Sequence, residues 1–168
     1  MQKFSRRRLV FGVYLIVLIG LAELLSARLR LPPWPAFIAL VLFFLERMDV
    51  KKVPDILVGS LVGIALVLLA PAGIGFLAHF LGAEWGRLAY ILLAVYLIVA
   101  LHDLLPVLFN SHAFMYLTVG GLALATPNPN PYLWALTAVI GGAVLIAGAV
   151  LIGRISPAAA VASAAVAH

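Results

Sequence analysis

The sequence contains no cysteine, which excludes disulfide bonds, thiolate nucleophiles and cysteine-ligated metals from any account of its function. Charged residues are scarce at 10% of the chain, and only 6 residues are acidic. The 4 histidines are spread along the chain without metal-ligand spacing. A Gly-rich phosphate loop and a nucleophile elbow are also missing. We therefore expect no enzyme, no cofactor and no metal.

Most of the chain consists of apolar residues. They make up 65% of 168 residues, and the mean hydropathy is +1.20. A soluble domain of this size cannot bury so much apolar surface, whereas a membrane span uses about 20 apolar residues. The sequence therefore predicts an all-α integral membrane protein, a single membrane domain over residues 1–168 with about six crossings. Its net charge of +5 is better explained by topology signals and lipid contacts than by nucleic acid.

The apolar runs form a pattern that occurs twice, with a constant offset that carries Ala36 onto Ala113 and Pro54 onto Pro131. We call this the repeat offset. Unit one (residues 9–70) and unit two (residues 86–153) each contain a long run, a short run after a break, and another long run. A duplicated unit with a shortened middle element is the usual sequence pointer to a solute pathway. The runs are Leu9–Ala27, Trp34–Leu45 and Pro54–Ala70, then Gly86–Leu104, His112–Ala125 and Pro131–Ala147.

Two segments lie outside these units. Residues 71–85 are predicted to form an interfacial connector, because Pro71–Gly82 is apolar but too short to span. Residues 154–168 are predicted to form a loose, Ala-rich tail. At the start of the chain, Arg6, Arg7 and Arg8 before an apolar run resemble a signal peptide. The run is longer than the about 7–15 residues of a signal core, which favours an uncleaved first span.

Basic residues predict the topology, with both termini in the cytoplasm. Three crossings per unit is an odd number, so the two units have opposite orientations in the membrane. The predicted cytoplasmic group is Lys3, Arg6, Arg7, Arg8, Arg47, Lys51, Lys52 and Arg154, and the predicted outer group is Arg28, Arg30 and Arg87.

The short runs carry the functional hypothesis. Trp34–Leu45 has 12 residues, about 18 Å of helix against a hydrocarbon core of about 30 Å. Prolines at 32, 33 and 35 favour extended backbone before it, so we expect a discontinuous helix that begins near the midplane. Its counterpart begins at Ser111 or His112, and the two N-termini are expected to face each other. The alternative is an ordinary short helix that begins at the interface.

Polar and aromatic residues around both short runs are the candidate site. The predicted solute pathway between the units is lined by Trp34, Phe37, Asn110, Ser111, His112, Phe114 and Thr118. Candidate proton or ion-pair residues are Glu23, His102 and Asp103. Structural alternatives remain open for these residues: helix capping by Asn110 or Ser111, a carbonyl partner for His112, interfacial anchoring by Trp34, headgroup contact by His102 and Asp103, and pairing of Glu23 with an arginine.

Residues 31–154 resemble the YcdZ-like group, a domain-of-unknown-function family of small bacterial inner-membrane proteins. The resemblance rests on Trp34-Pro35-Ala36-Phe37 at the start of the short run, a Gly-bearing next span, and the Phe-containing second short run His112–Ala125. It implies location in the bacterial inner membrane. The two inverted halves are similar in concept to aquaporins and urea channels, but the short runs lack an Asn-Pro-Ala pair. Asn128-Pro129 and Asn130-Pro131 instead have the composition of turns.

Two functions are compatible with these features. The first is a membrane channel or simple transporter for a small neutral or anionic solute, with the lipid bilayer as its environment and a homodimer or homotrimer as its assembly. The alternative is a non-catalytic structural subunit of a larger membrane complex. Gly59-x-x-x-Gly63 favours close helix packing in either case.

Overall fold

The computed structural model describes residues 6–155, with side chains from residue 9 onward, and this part of the chain is helical without strands. Its helices are α1 (Arg6–Leu29), α2 (Trp34–Leu45), α3 (Val53–Leu81), α4 (Ala83–Leu101), α5 (Ser111–Ala123), α6 (Pro131–Leu136) and α7 (Gly142–Ile155). A 3₁₀ turn at Val50–Lys52 precedes α3, and a π-helical turn at Thr137–Gly141 joins α6 to α7. The predicted tail 154–168 lies outside the described residues from position 156 onward.

Four of the described helical stretches are long and apolar enough to cross a membrane: Leu9–Leu29, Val50–Leu81, Ala83–Leu101 and Pro131–Ile155. Large apolar side chains remain exposed along them, as expected for surfaces that contact lipid rather than water. The prediction of a helical membrane protein is confirmed.

Both predicted short helices are present. The first, α2, covers the 12 residues Trp34–Leu45, and α5 covers the 13 residues Ser111–Ala123. Prolines fix the start of α2, because Pro35 occupies the first turn, where a helix does not need its N–H. The first residues of the two helices, Trp34 and Ser111, are separated by the repeat offset, as the spacing of the apolar runs predicted.

The segment 71–82, predicted as a separate interfacial connector, is not separated from α3, because this helix continues through Pro71 to Leu81. Proline inside a helix removes one backbone hydrogen bond and normally ends or bends the helix. Here Tyr90 of α4 packs against Gly73, and its hydroxyl donates to the Leu66 carbonyl, so α4 supports α3 on both sides of the proline. The 29 residues of α3 give about 43 Å of helix, longer than a hydrocarbon core of about 30 Å.

A glycine turn folds α4 back along α3. Gly82 ends α3 with φ of 85°, a left-handed conformation that glycine adopts without steric cost. Just beyond it, a Cβ on Gly86 would lie 2.5 Å from the Ala78 amide nitrogen. The α3–α4 hairpin is therefore packed backbone against backbone at this end.

The two predicted units interlock rather than forming separate bodies. The α3 helix of unit one packs against α4 and α5 of unit two, while α7 of unit two packs against α1 and α2 of unit one. Each long third helix therefore supports the first two helices of the other unit. The core between them is formed by the buried residues Ala36, Ala39, Leu40, Leu42, Phe43, Ile56, Ile64, Val67, Tyr116, Trp134, Ala138, Leu145, Ile146 and Ala149.

Matching glycine contacts occur on both sides of this core. Gly63 of α3 packs against Ala113 of α5, and Gly141 packs against Ala36 of α2. The two alanines are separated by the repeat offset, whereas Gly141 lies one position beyond the counterpart of Gly63. The hydrogen bond of a π turn spans one residue more than that of an α-helical turn. The π turn at Thr137–Gly141 therefore accounts for the shift of one position.

Candidate functional site

Asn110 holds the α4–α5 connector against the rest of the protein. Its Oδ1 accepts from the Ala113 amide at 3.0 Å and caps α5. Its Nδ2 donates to the carbonyls of Asp55, Pro106 and Val107 at 3.0–3.1 Å. The side chain is buried and packs on Gly59. The helix-capping role that the sequence left open for Asn110 is thus present in the structure.

His112 pairs with a carboxylate instead of facing an open space. Its Nε2 lies 3.1 Å from Oε1 of Glu46, the residue that follows α2. The imidazole is buried, and among the described residues its Nδ1 has no hydrogen-bond partner. The start of α5 therefore lies beside the end of α2. This corrects the expectation that the N-termini of the two short helices face each other.

Aromatic rings fill the space beside the start of α2. The Tyr116 hydroxyl donates to the Pro35 carbonyl at 2.6 Å. The ring centroid of Trp34 lies 6.3 Å from that of Tyr116 and 5.4 Å from that of Trp134. Tyr116 and Trp134 are buried. The predicted pathway through this region is occupied by packed side chains.

Replacing Tyr116 with phenylalanine tests this central contact. Loss of the hydroxyl removes one buried hydrogen bond while the ring stays, so we expect the free energy of unfolding to fall by about 1–2 kcal/mol. The measurement is unfolding of the purified protein in mixed detergent micelles. Tyr132→Phe is the matched control, because Tyr132 is 72% exposed. Equal effects of the two changes would contradict the assigned contact.

A cavity of about 420 Å³ lies between α4 and the start of α5, and we name it the polar cavity. Its lining consists of Val95, Ile98, Val99, His102, Asn110, Ser111 and Phe114. Nδ1 of His102 lies 2.7 Å from the Phe109 carbonyl oxygen and donates to it, which leaves Nε2 as the unbonded ring nitrogen. Ser111 is exposed in the first turn of α5, where backbone N–H groups lack helical partners.

A second cavity of about 410 Å³, the apolar cavity, lies between the C-terminal half of α1, the start of α2 and the α6–α7 segment. Aliphatic side chains dominate its walls, together with Phe37. Ser26 is one of its few polar lining residues, and the hydroxyl of another, Thr137, is bonded to the Leu133 carbonyl at 2.7 Å.

The two cavities share lining positions that are related by the repeat offset. Most residues of the polar cavity have a counterpart in the apolar cavity, one repeat offset earlier in the chain. The pairs are Leu18 and Val95, Leu21 and Ile98, Ala22 and Val99, Leu25 and His102, Pro33 and Asn110, and Phe37 and Phe114. His102 and Asn110 therefore add polar groups where unit one has leucine and proline.

The remaining predicted site residues lie apart. Thr118 is exposed and donates to the Phe114 carbonyl at 2.9 Å, an ordinary bond within α5. Asp103 is exposed just beyond α4, next to His102. Glu23 is exposed on α1, and within residues 9–155 it forms no ion pair, so the pairing expected with a nearby arginine is not formed.

The structure thus does not bring the predicted pathway residues into one site. Asn110, Ser111 and Phe114 line the polar cavity and Phe37 lines the apolar cavity. Trp34 packs in the aromatic cluster at the start of α2, His112 pairs with Glu46 at its end, and Thr118 is bonded within α5. Sequence reasoning missed the roles of Glu46 and Trp134. The repeat offset, which pairs Leu25 with His102, was the available signal for the polar cavity.

The class defined by this fold is that of helical membrane-embedded proteins. Comparison of the chain with protein-family models, with curated proteins and with solved structures gives no match. The resemblance to the YcdZ-like group therefore stays a prediction.

Proposed function

We propose that this protein is a channel or simple transporter for a small neutral or anionic solute in the bacterial inner membrane. The observation that carries the proposal is the cavity that occurs at positions of both units related by the repeat offset, with His102 and Asn110 in unit two where unit one has Leu25 and Pro33. Duplicated units with short middle helices are a recurring architecture of solute transporters. The polar cavity is the proposed solute site.

The proposed topology has six crossings in two inverted three-segment repeats, with both termini in the cytoplasm. The four long apolar stretches supply four crossings, and the short helices α2 and α5 supply the other two together with their connectors. The exchanged packing of α3 and α7 supports two equivalent units. The distribution of basic residues supports the orientation.

The lining of the polar cavity favours a solute with hydrogen-bond acceptors. The Ser111 hydroxyl is a donor, and the dipole of α5 adds partial positive charge at this end of the helix. His102 offers a polar group through its unbonded Nε2. The lining contains neither lysine nor arginine, so a full compensating charge is not supplied. Small amides and small carboxylates fit this combination.

A matched pair of serine variants tests the site. Ser111→Ala removes a hydroxyl from the polar cavity without removing the cap of α5, which Asn110 supplies. Because hydrogen bonds to a bound solute are worth about 1 kcal/mol or more, we expect roughly tenfold slower flux. The measurement is uptake of urea, small amides, formate, acetate and water by proteoliposomes.

The control is Ser26→Ala, which makes the same change in the apolar cavity and is expected to leave flux unchanged. Flux that both variants reduce equally would place the solute outside the polar cavity. Wild-type flux no higher than that of empty liposomes for every solute would overturn the proposed function.

The filled centre favours a second candidate, a non-catalytic structural subunit of a larger membrane complex. Trp34, Tyr116 and Trp134 pack together where a pathway between the units would run. A subunit of this kind would use its exposed apolar helices against partner proteins. Co-purification of stoichiometric partners from mild detergent, together with absent flux, would favour this candidate, whereas a homodimer or homotrimer with flux would favour the transporter.

A further inference from the structure

We propose that the C-terminal half of α1 closes over the apolar cavity in a second state of the protein. Helix α1 can be compared with α4, which is its counterpart one repeat offset later in the chain. Helix α4 lies against α3, whereas a cavity of about 410 Å³ separates the C-terminal half of α1 from the α6–α7 segment. The occupant that fits this space is α1 itself.

Equivalent side chains on α1 and α4 have opposite environments. Val17 is 52% exposed, while Ala94 at the equivalent position of α4 is 2% exposed. Leu21 is 61% exposed, while its counterpart Ile98 is 4% exposed. The same face of the same repeat helix is therefore buried in unit two and uncovered in unit one.

The opposite wall of the apolar cavity is uncovered as well. Ile140 and Val144 are 58% and 61% exposed. With the one-residue shift at the π turn, their counterparts are Val62 and Leu66 of α3, which are half-buried. In unit two, Tyr90 of α4 reaches the Leu66 carbonyl. The exposed side chains of α1 and of residues 140–144 thus border the same cavity from its two sides.

Helix α1 packs against α7 and the core through Leu15, Leu18, Ile19 and Ala22 at the edge of the cavity. A Cβ on Gly148 would lie 2.8 Å from a terminal methyl of Leu18, so the two helices are already close there. C-terminal to Leu18, the α1 side chains Leu21, Leu25 and Leu29 line the cavity that lies between α1 and the α6–α7 segment. Closure therefore requires a tilt of α1 about the Leu18–Gly148 contact, with the α1–α2 connector following.

The register of the closed state follows from the α3–α4 hairpin. Gly73 meets Tyr90 and Ala78 meets Gly86, which defines an antiparallel register between the two helices. Continued along α4, this register places Ile98 beside Leu66. Transferred to unit one, it pairs Leu21 with Val144 and, one turn further, Leu25 with Ile140.

Disulfide trapping tests the closed state directly, because the natural sequence has no cysteine. The variant L21C/V144C, oxidised in membranes with copper–phenanthroline, is expected to cross-link at least about tenfold faster than L24C/V144C. Leu24 is on the same helix but does not line the cavity, which makes it the matched control. The pair L18C/G148C reports the maximum rate for helices in contact.

A second pair, L25C/I140C, tests the same register one turn away. It keeps the test valid if the L21C/V144C variant does not fold. Cross-linking of either cavity pair no faster than the Leu24 control, in protein that elutes as a single species, would overturn the proposal. The inference rests on the repeat rather than on transport. Fast cross-linking in a protein without flux would leave the closure standing and remove the proposed function.

Discussion

Gly63→Ala is expected to lower the free energy of unfolding by about 3 kcal/mol. A Cβ at this position would collide with the Ala113 carbonyl oxygen and would lie 2.7 Å from the Tyr116 Cβ and 2.9 Å from the Leu117 amide nitrogen. Backbone atoms cannot rotate away as a flexible side chain can, so α3 and α5 must separate. The measurement is equilibrium unfolding in mixed micelles, followed by circular dichroism.

Gly75→Ala is the matched control for this variant. Gly75 lies on the same helix, and a Cβ there would meet no atom within 4 Å. Because alanine is the better helix former, this change is expected to be neutral or to stabilise the protein by up to about 1 kcal/mol. If both alanines have the same effect, the close α3–α5 crossing is wrong.

The Gly63 contact shows how the fold depends on pairs that a local sequence window does not contain. Gly59-x-x-x-Gly63 indicates that α3 packs closely against another helix, but its partner α5 begins only at Ser111, after the whole of α4. Helix propensity and periodicity describe single helices, so they do not specify which helices far apart in the chain pair with each other. The sequence therefore predicted the type of contact and not the helix that supplies it.

Local signals were sufficient for the short helices. Prolines before Trp34 and the charged turn after Leu45 delimit α2, and Asn110 before an apolar run marks the start of α5. The same reliance on local signals produced the wrong break at Pro71. There, the contacts of Tyr90 with α3 outweigh the local cost of proline.

The sequence predicted several residues of the candidate site but not how their side chains are arranged. Asn110, Ser111 and Phe114 are close in sequence, and the structure brings them to one cavity. His112, their immediate neighbour, instead points to Glu46, which is 66 residues away along the chain. Successive helical residues point in different directions, so adjacency in sequence does not place side chains in one site.

Asn110→Ala is the second change expected to have a large effect, with a loss of about 3–4 kcal/mol in the free energy of unfolding. The cap of α5 contributes about 1 kcal/mol. The remainder comes from the carbonyls of Asp55, Pro106 and Val107, which lose their donor in a partly buried environment. Unfolding in mixed micelles measures the sum, and Asn110→Ser, which keeps a capping oxygen, is expected to recover about 1 kcal/mol.

Asn130→Ala separates capping from the other bonds of Asn110. Asn130 caps α6 through the same geometry, with its Oδ1 3.2 Å from the Leu133 amide, but it is exposed and donates to no carbonyl in the described part of the chain. Its loss is expected to cost only about 1 kcal/mol. If Asn110→Ala costs no more than this, the connector is not held by Asn110. The polar cavity would then lack a fixed wall, because the bonds of Asn110 to Asp55 and to the connector tie this wall to α3.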